Sequence, residues 1–351
     1  MASMDVFKDD AFSVISLTEA INKLPYQPGR ISSLGLFTER PIMTTTAVVE
    51  EKSGQLKLVP TSPRGGPGAS FGQSKRTARS FIVPHLEVIA GVLADEVQNV
   101  RAFGSETETQ TVMSLVAERL AEARASIEAT HEYHRIKALQ GTILDADGST
   151  LFDLNTEFGT TQQSYAIGTG ASVRNDCVEI TRLSEQALGS VIPLPGQGPR
   201  PLFRAFCGDT FFDTLIEEED VTDALKYQAS QMLRGDLRGG FDYGGITWEN
   251  YRGRLSSVLA DADDETKDAD GSTVTPFVDD DEAYVVPMVA NLCRTYWAPA
   301  DYQETVNRPG LPFYAKQALD KWGKQTEIQV QSNPLHLVLR PRAIIKVTIS
   351  S

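Results

Sequence analysis

Two histidines three residues apart, His131 and His134 in the run HEYH, are the residues of this chain that most resemble a metal site. On a helix that spacing sets both imidazoles on one face, where a zinc ion would need them. The helical metalloprotease pattern requires a spacing of four with a glutamate between, and no third ligand is evident. The pair therefore reads as a helix-face pair engaged in packing or solvent. The hexapeptide Asp-Ala-Asp-Gly-Ser-Thr occurs twice, at 145–150 and 268–273, and has the flavour of a calcium loop. Its glycine falls fourth instead of sixth, and the twelfth positions are Thr156 and Asp279 instead of glutamate, so turn formation accounts for both copies. Gly168-Thr169-Gly170 lacks the third glycine and the following helix of a dinucleotide site. No serine elbow, Walker lysine or supported cysteine–histidine pair is present. No residue is expected to be catalytic, to bind a cofactor or to ligate a metal. The enzyme alternative is an acidic metal-dependent hydrolase using Asp261, Asp263, Asp268 and Asp270, but that stretch reads as a solvated linker without histidine or fixed geometry. The acidic runs Glu217 to Asp220 and Asp279 to Glu282 likewise read as solvated faces.

A different kind of chemistry is suggested by Arg64-Gly65-Gly66, with Lys75, Arg76 and Arg79 close behind it. Guanidinium groups and free backbone amides on a glycine-rich tip suit phosphate or nucleic acid, or else carboxylates on a neighbouring subunit. The second reading is preferred because the rest of the chain is acidic, with 33 Lys and Arg against 47 Asp and Glu and a formal charge of -14. Such a balance disfavours a sequence-independent grip on DNA or on an anionic membrane. No apolar run is long enough to span a bilayer, and the first ten residues carry three aspartates where a secretory signal would be apolar. Three widely spaced cysteines, Cys177, Cys207 and Cys293, fit reduced thiols acting as core fillers better than a disulfide framework. The hydrophobic fraction of 41% is that of an ordinary folded protein.

The basic tip sits in an unusual element. Residues 42 to 88 read as an extended arm with no apolar partner face of its own, which would have to lie on another chain. A β-branched run from Thr44 to Val49, a turn at Ser53-Gly54 and an alternating run from Gln55 to Val59 predict a hairpin. Pro63, Gly65, Gly66, Pro67, Gly68 and Gly72 then break regular pairing before an extended pattern resumes at Arg79. Ahead of the arm, Phe12, Ile15, Leu17, Ile21 and Leu24 predict one short helix. Behind it, Ser105 is a cap candidate, and Val112, Val116, Leu120, Ala123, Ile127, Thr130, His134 and Ala138 recur at three- and four-residue spacing until Gly141. A helix over 105–140 would be roughly 54 Å long, with a single apolar stripe suited to a sheet. A second hairpin is expected around Asp147-Gly148, followed by alternating helical and β patterns to about residue 300 and a β-rich end from Glu327 to Ile349. The pattern predicts an α+β protein of two intermingled lobes joined by the long helix.

The order of these elements is similar to that of the lambda-type major capsid proteins of tailed bacteriophages (the head protein E family). The residues carrying the likeness are Arg64-Gly65-Gly66 in the arm, Val83-Pro84-His85 at its return, the helix 105–140, Arg294-Thr295-Tyr296, and the ending from Glu327 through Gln331-Ser332-Asn333-Pro334-Leu335 to Ile349. The resemblance covers nearly the whole chain and implies an HK97-like (Hong Kong 97-type) capsid fold. Its divisions would be an N-terminal arm over 1–40, an extended hairpin loop over 41–88, a peripheral domain over 89–175 with the spine helix, an axial domain over 176–310, and a return to the peripheral domain over 311–351. It implies a structural, non-enzymatic virion protein that forms hexamers and pentamers of itself and encloses double-stranded DNA without sequence specificity. The shell would be built in the host cytoplasm and expand on maturation. Portal protein, a separate scaffolding protein and a small decoration protein are the implied partners, with no membrane and no cofactor. Arg64, Gly65, Gly66, Lys75, Arg76 and Arg79 become the intersubunit contact candidates. The alternative within the virion is a tail-tube or head-completion protein.

Overall fold

The computed structural model describes residues 14–23, 29–52, 76–93, 112–168, 172–189, 201–227, 239–256, 274–319 and 325–350. In chain order, α1 (Val14–Lys23) and the single turn α2 (Arg30–Ser33) precede β1 (Phe37–Pro41). The ribbon strands β2 (Thr46–Lys52) and β3 (Arg76–Ile82) are followed by β4 (Leu86–Leu93) and the long helix α3 (Val112–Leu139). A small hairpin, β5 (Thr142–Leu144) and β6 (Thr150–Asp153), leads through α4 (Leu154–Phe158) and β7 (Gln163–Gly168) to α5 (Val173–Ala187). The central lobe continues with β8 (Phe203–Cys207), α6 (Asp209–Glu217), α7 (Glu219–Tyr227), β9 (Phe241–Tyr243), β10 (Ile246–Asn250), β11 (Arg254–Ser256), β12 (Val274–Pro276) and β13 (Glu282–Pro287). The chain closes with β14 (Cys293–Trp297), β15 (Tyr314–Leu319), β16 (Gln325–Ser332), β17 (Pro334–Val338) and β18 (Ile345–Ser350).

The apolar stripe read from the sequence is the face α3 buries. Leu115, Val116, Leu120, Ala123 and Ile127 lie against Val92, Ile328 and Val330, joined by Leu17 and Ile21 of α1. The sheet beneath has the order β15-β16-β4 and is antiparallel throughout. Its strands alternate, so Val88, Ala90 and Val92 turn toward the helices while Glu87, Ile89, Gly91 and Leu93 face outward. The described helix of 28 residues is about 42 Å long; the expected start at Ser105 lies outside the described residues. It stops because Gly141 adopts φ +91, a conformation that costs an L side chain, where a Cβ would also strike the Asn155 amide.

The central lobe is a six-stranded sheet of order β7-β18-β13-β8-β10-β9. One face carries α5, α6 and α7, whose Cys177, Ile180, Phe211, Phe212, Leu215 and Val221 cover Ala205, Cys207, Trp248, Val285 and Val347. The other face sends Phe206, Tyr284 and Val286 into a core shared with the second half of α3 and the three-stranded sheet β1-β14-β17. Gly208 lets the β8–α6 turn lie against the 279–280 backbone, where a Cβ would collide with Asp279 and Asp280. The cysteines are all buried, and burial pushes the Cys177 and Cys293 thiols up to about 12, so they stay protonated fillers.

Several expectations need adjusting. The partner of β2 is β3, with Glu50 opposite Ala78 and Lys52 opposite Arg76, so the first strand of the arm pairs with its return. The expected Ser53-Gly54 turn and the strand 55–59 lie outside the described residues. Local turn chemistry suggested a tight hairpin, but the Arg76–Ile82 run matches the alternation of β2 and buries the same face. The first helix of the central lobe begins at Val173. The segment 311–351 contributes β15 and β16 to the sheet under α3 but β18 to the six-stranded sheet. Residues 37–41, from the segment expected to be an arm, form a strand parallel to β14.

Candidate intersubunit surface

The root of the β2–β3 ribbon is where the expected arm meets its own subunit. Ala47, Val49, Phe81 and Val83 point inward and are buried in the core with Ile143 and Leu154. Phe81 packs edge-on against Phe152 at 5.7 Å and beside Phe158 at 5.9 Å. The expectation that the arm lacks an apolar partner face therefore fails at its root, because Ala47 and Val49, and Phe81 and Val83, are apolar at alternate positions and the β5–β6 hairpin and α4 supply the opposing surface. The outward residues behave otherwise. Val48 is 59% exposed and Ile82 72% exposed, and among the described residues the ribbon is a two-stranded sheet with no further strand on either edge. An apolar, unpaired ribbon of this kind offers strand edges and side chains to another chain.

Of the contact candidates, Arg64, Gly65, Gly66 and Lys75 lie outside the described residues. Arg76 closes the ribbon opposite Lys52. Arg79 is only partly free, since its guanidinium lies 5.3 Å over the Phe158 ring of its own subunit. The structure does not bring the six into one described cluster.

Two motifs quoted from the sequence do meet. At the return of the arm, His85 Nδ1 lies 2.8 Å from Asn333 Oδ1 and Nε2 lies 3.2 Å from Glu87 Oε2. Asn333 in turn donates through Nδ2 to the Pro299 carbonyl and accepts from the Ala298 amide. Burial opposes the charge on His85, but the Asn333 and Glu87 hydrogen bonds with the Asp301 and Glu87 carboxylates outweigh it and raise its pKa. Arg294-Thr295-Tyr296 forms the middle of β14, and Thr295 Oγ1 bonds His336 Nδ1 at 2.8 Å.

Sequence reasoning missed the polar ties that lock the segment before the ribbon. Glu132 of α3 caps α2, accepting from the Ile31 and Ser32 amides at 2.6 and 3.3 Å and from the Tyr251 hydroxyl at 3.1 Å. Arg30 and Arg204 both bond the buried Glu249 carboxylate. Partners 45 to 219 residues apart leave no local signal. His131 and His134 are indeed packed: His131 stacks on Phe313 at 5.6 Å and lies 5.3 Å from Trp297. Among the described residues no group of three or more His, Cys, Asp or Glu could hold a metal ion, and Asp261, Asp263, Asp268 and Asp270 lie outside them.

The family model described as "Phage major capsid protein E" matches residues 13–349. The chain belongs to this phage major capsid protein family. It is 26% identical over 360 residues to the major capsid protein of Pseudomonas phage KPP10, covering 95% of this chain and 96% of that one. It is 25% identical over 263 residues to the major capsid protein of Salmonella phage Felix O1, covering 70% of each. Its fold is similar to a prophage capsid protein from E. coli CFT073, with a TM-score of 0.55 at 14% identity over 96% of this chain and 99% of the other. A phage-related protein of Bordetella bronchiseptica RB50 gives 0.52 at 11% identity over 97% and 98%. The subunit thus has the HK97-like α+β capsid fold, is a structural component of the virion, and self-assembles into a shell. The capsid family leaves no place for the metal-dependent hydrolase reading.

Proposed function

We propose that this capsid subunit forms hexamers and pentamers that close into an icosahedral procapsid, with the ribbon of each subunit lying across a neighbour. The observation that carries this is the two-sidedness of the ribbon root: Ala47, Val49 and Phe81 fix it to its own core, while Val48 and Ile82 face outward with no partner among the described residues. Arg64, Gly65, Gly66, Lys75, Arg76 and Arg79 then serve as contacts with acidic neighbours. Portal, a separate scaffold and a decoration protein are the partners of that pathway, which runs in the host cytoplasm. The segments 89–175 and 176–310 act as peripheral and axial domains. Packaged DNA touches the inner wall without sequence recognition, and an acidic subunit surface favours sliding over sticking.

Negative-stain electron microscopy of the chain expressed alone and with the neighbouring reading frames of its genome tests this reading. Closed shells or hexameric and pentameric rings are expected. Open tubes or dodecameric-type rings alone would assign the chain to another station of the virion.

A further inference from the structure

We propose that the groove between α2, the middle of α3 and the turn into β11 receives the acidic stretch 261–270 of a neighbouring copy, a contact that rests on the assembly reading above. The groove has a volume of about 610 Å³; Ala125, Ala129 and Gly253 give it a shallow floor, and Arg30, Arg252 and Arg254 stand on its rim. Its charges are sorted by depth. Glu249 has 6% of its side chain exposed and is bound by Arg30 and Arg204, and Glu128, 11% exposed, is bound by Arg124. Glu132 is buried and occupied by the α2 amides and the Tyr251 hydroxyl. In contrast, Arg30, Arg252 and Arg254 have 45%, 52% and 47% of their side chains exposed, and the last two share the single carboxylate of Asp209. Among the described residues the acidic run 279–282 does not line the groove. The groove therefore turns positive charge to the solvent on a chain whose formal charge is -14.

Guanidinium forks pair best with carboxylate or phosphate, and exposed ion pairs such as those to Asp209 are weak enough to exchange for a better-placed acceptor. The chain itself supplies fitting carboxylates. Between Ser256 and Val274 lie seventeen residues, of which 261–270 hold six Asp and Glu against one Lys. Their two ends are paired as β11 and β12, from Arg254 opposite Pro276 to Ser256 opposite Val274. Only the root of that ladder, at Arg254 and Phe277, lines the groove, so the chain leaves its own groove as it enters the acidic stretch. Half of seventeen residues can extend at most about 30 Å, which is enough to reach an adjacent subunit. In a closed shell each subunit then gives an acidic stretch to one neighbour and an arginine-rimmed groove to another, the head-to-tail contact that closes rings.

The test uses full-length subunits carrying Arg252→Cys or Asp264→Cys, co-assembled into shells and oxidised with diamide; the three native cysteines are buried and do not compete. A linked dimer on non-reducing denaturing gels is expected from mixed shells and not from shells of either variant alone. Intact shells without a linked dimer overturn the contact while leaving assembly standing; no shells from the wild-type chain overturns the assembly reading and the contact with it. A chain bearing both cysteines that links within itself before assembly also overturns the proposal, because the stretch would then sit in its own groove. Charge reversal gives an independent readout. Arg252→Glu with Arg254→Glu is expected to lower the yield of closed shells about tenfold, with circular dichroism unchanged, and adding Asp261→Lys and Asp263→Lys to the same chain is expected to restore it. Loss without restoration would mean that the groove meets another polyanion, such as packaged DNA, and would overturn the assignment.

Discussion

The six-stranded sheet and the sheet under α3 solve burial differently. The six-stranded sheet is covered on both faces, by α5, α6 and α7 on one side and by the core around Phe206, Tyr284 and Val286 on the other. Among the described residues the β15-β16-β4 sheet is covered only by α1 and α3, and its outer face sets Ile89 beside Gln329 and Leu93 beside Gln325. Ile89 is 59% exposed although alternation on a half-buried strand would place a polar residue there. A sheet finished on both sides has nothing to gain from a second copy. One that leaves aliphatic side chains in water on an edge strand gains when a neighbour covers them, and the ribbon root, with Val48 and Ile82 bare, repeats that arrangement.

The sharpest way to break the comparison is to place the same charge on each sheet. Val285→Asp, at a fully buried position in the six-stranded sheet, is expected to cost about 4 kcal/mol or more, so that the chain is recovered insoluble or unfolded by circular dichroism. A soluble, native-like variant would remove the distinction between the sheets. At the ribbon root, which is finished on one face only, Phe81→Ala should cost about 3 kcal/mol through the cavity left beside Phe152 and Phe158, measured by urea unfolding.

This division was partly legible in the sequence. Alternation and helical spacing exposed the inward faces of α1, α3 and β16, because each is written within one short window, and the capsid resemblance rested on the order of such windows. The partner of β2 was not legible: a glycine-rich stretch separates it from β3, and register is fixed by shared burial of Ala47, Val49 and Phe81, which no local turn signal encodes. Nor were the Glu132 cap, the Arg30–Glu249–Arg204 cluster and the Arg135–Ser32 hydrogen bond, whose members come from segments 45 to 219 residues apart. Conversely His131 and His134, the most chemistry-like pair in the sequence, proved to be packing residues.

Those histidines give the interior a pH signature. Burial lowers His134 to about 4, against an ordinary value of 6.5, and moves His131 and His336 the same way. The unfolded chain therefore binds more protons than the folded one between those values, and stability must fall as pH drops through that window. For His134 alone the full loss is roughly 3 kcal/mol once pH reaches about 4. Urea midpoints measured from pH 7 to pH 5 should decline, and should decline less in His134→Asn. An unchanged slope in that variant would place the acid sensitivity elsewhere. A smaller effect is expected on the bare sheet: Ile89→Asp should change stability by no more than about 0.5 kcal/mol, yet reduce the yield of closed shells seen by electron microscopy. Normal shells would show that this face is not a contact.

The smallest effect has the opposite sign. His85 carries a raised pKa from Asn333 and from the Glu87 and Asp301 carboxylates, so its contribution is present below its ordinary value and disappears as pH rises through the folded value. With 43% of its side chain exposed, solvent screens the pair, and a few tenths of a kcal/mol is the expected scale. Acidification from pH 8 to 6.5 should therefore tighten the return of the ribbon while leaving the interior untouched, and further acidification should weaken the interior while the return stays tight. Hydrogen exchange of the β4 amides reads the first step: His85→Ala should raise exchange at pH 6 and leave it unchanged at pH 8 once intrinsic rates are removed. Equal loosening at both values would mean that the imidazole ring is held for its shape alone, and that the root of the ribbon, unlike the interior, has no proton-linked component.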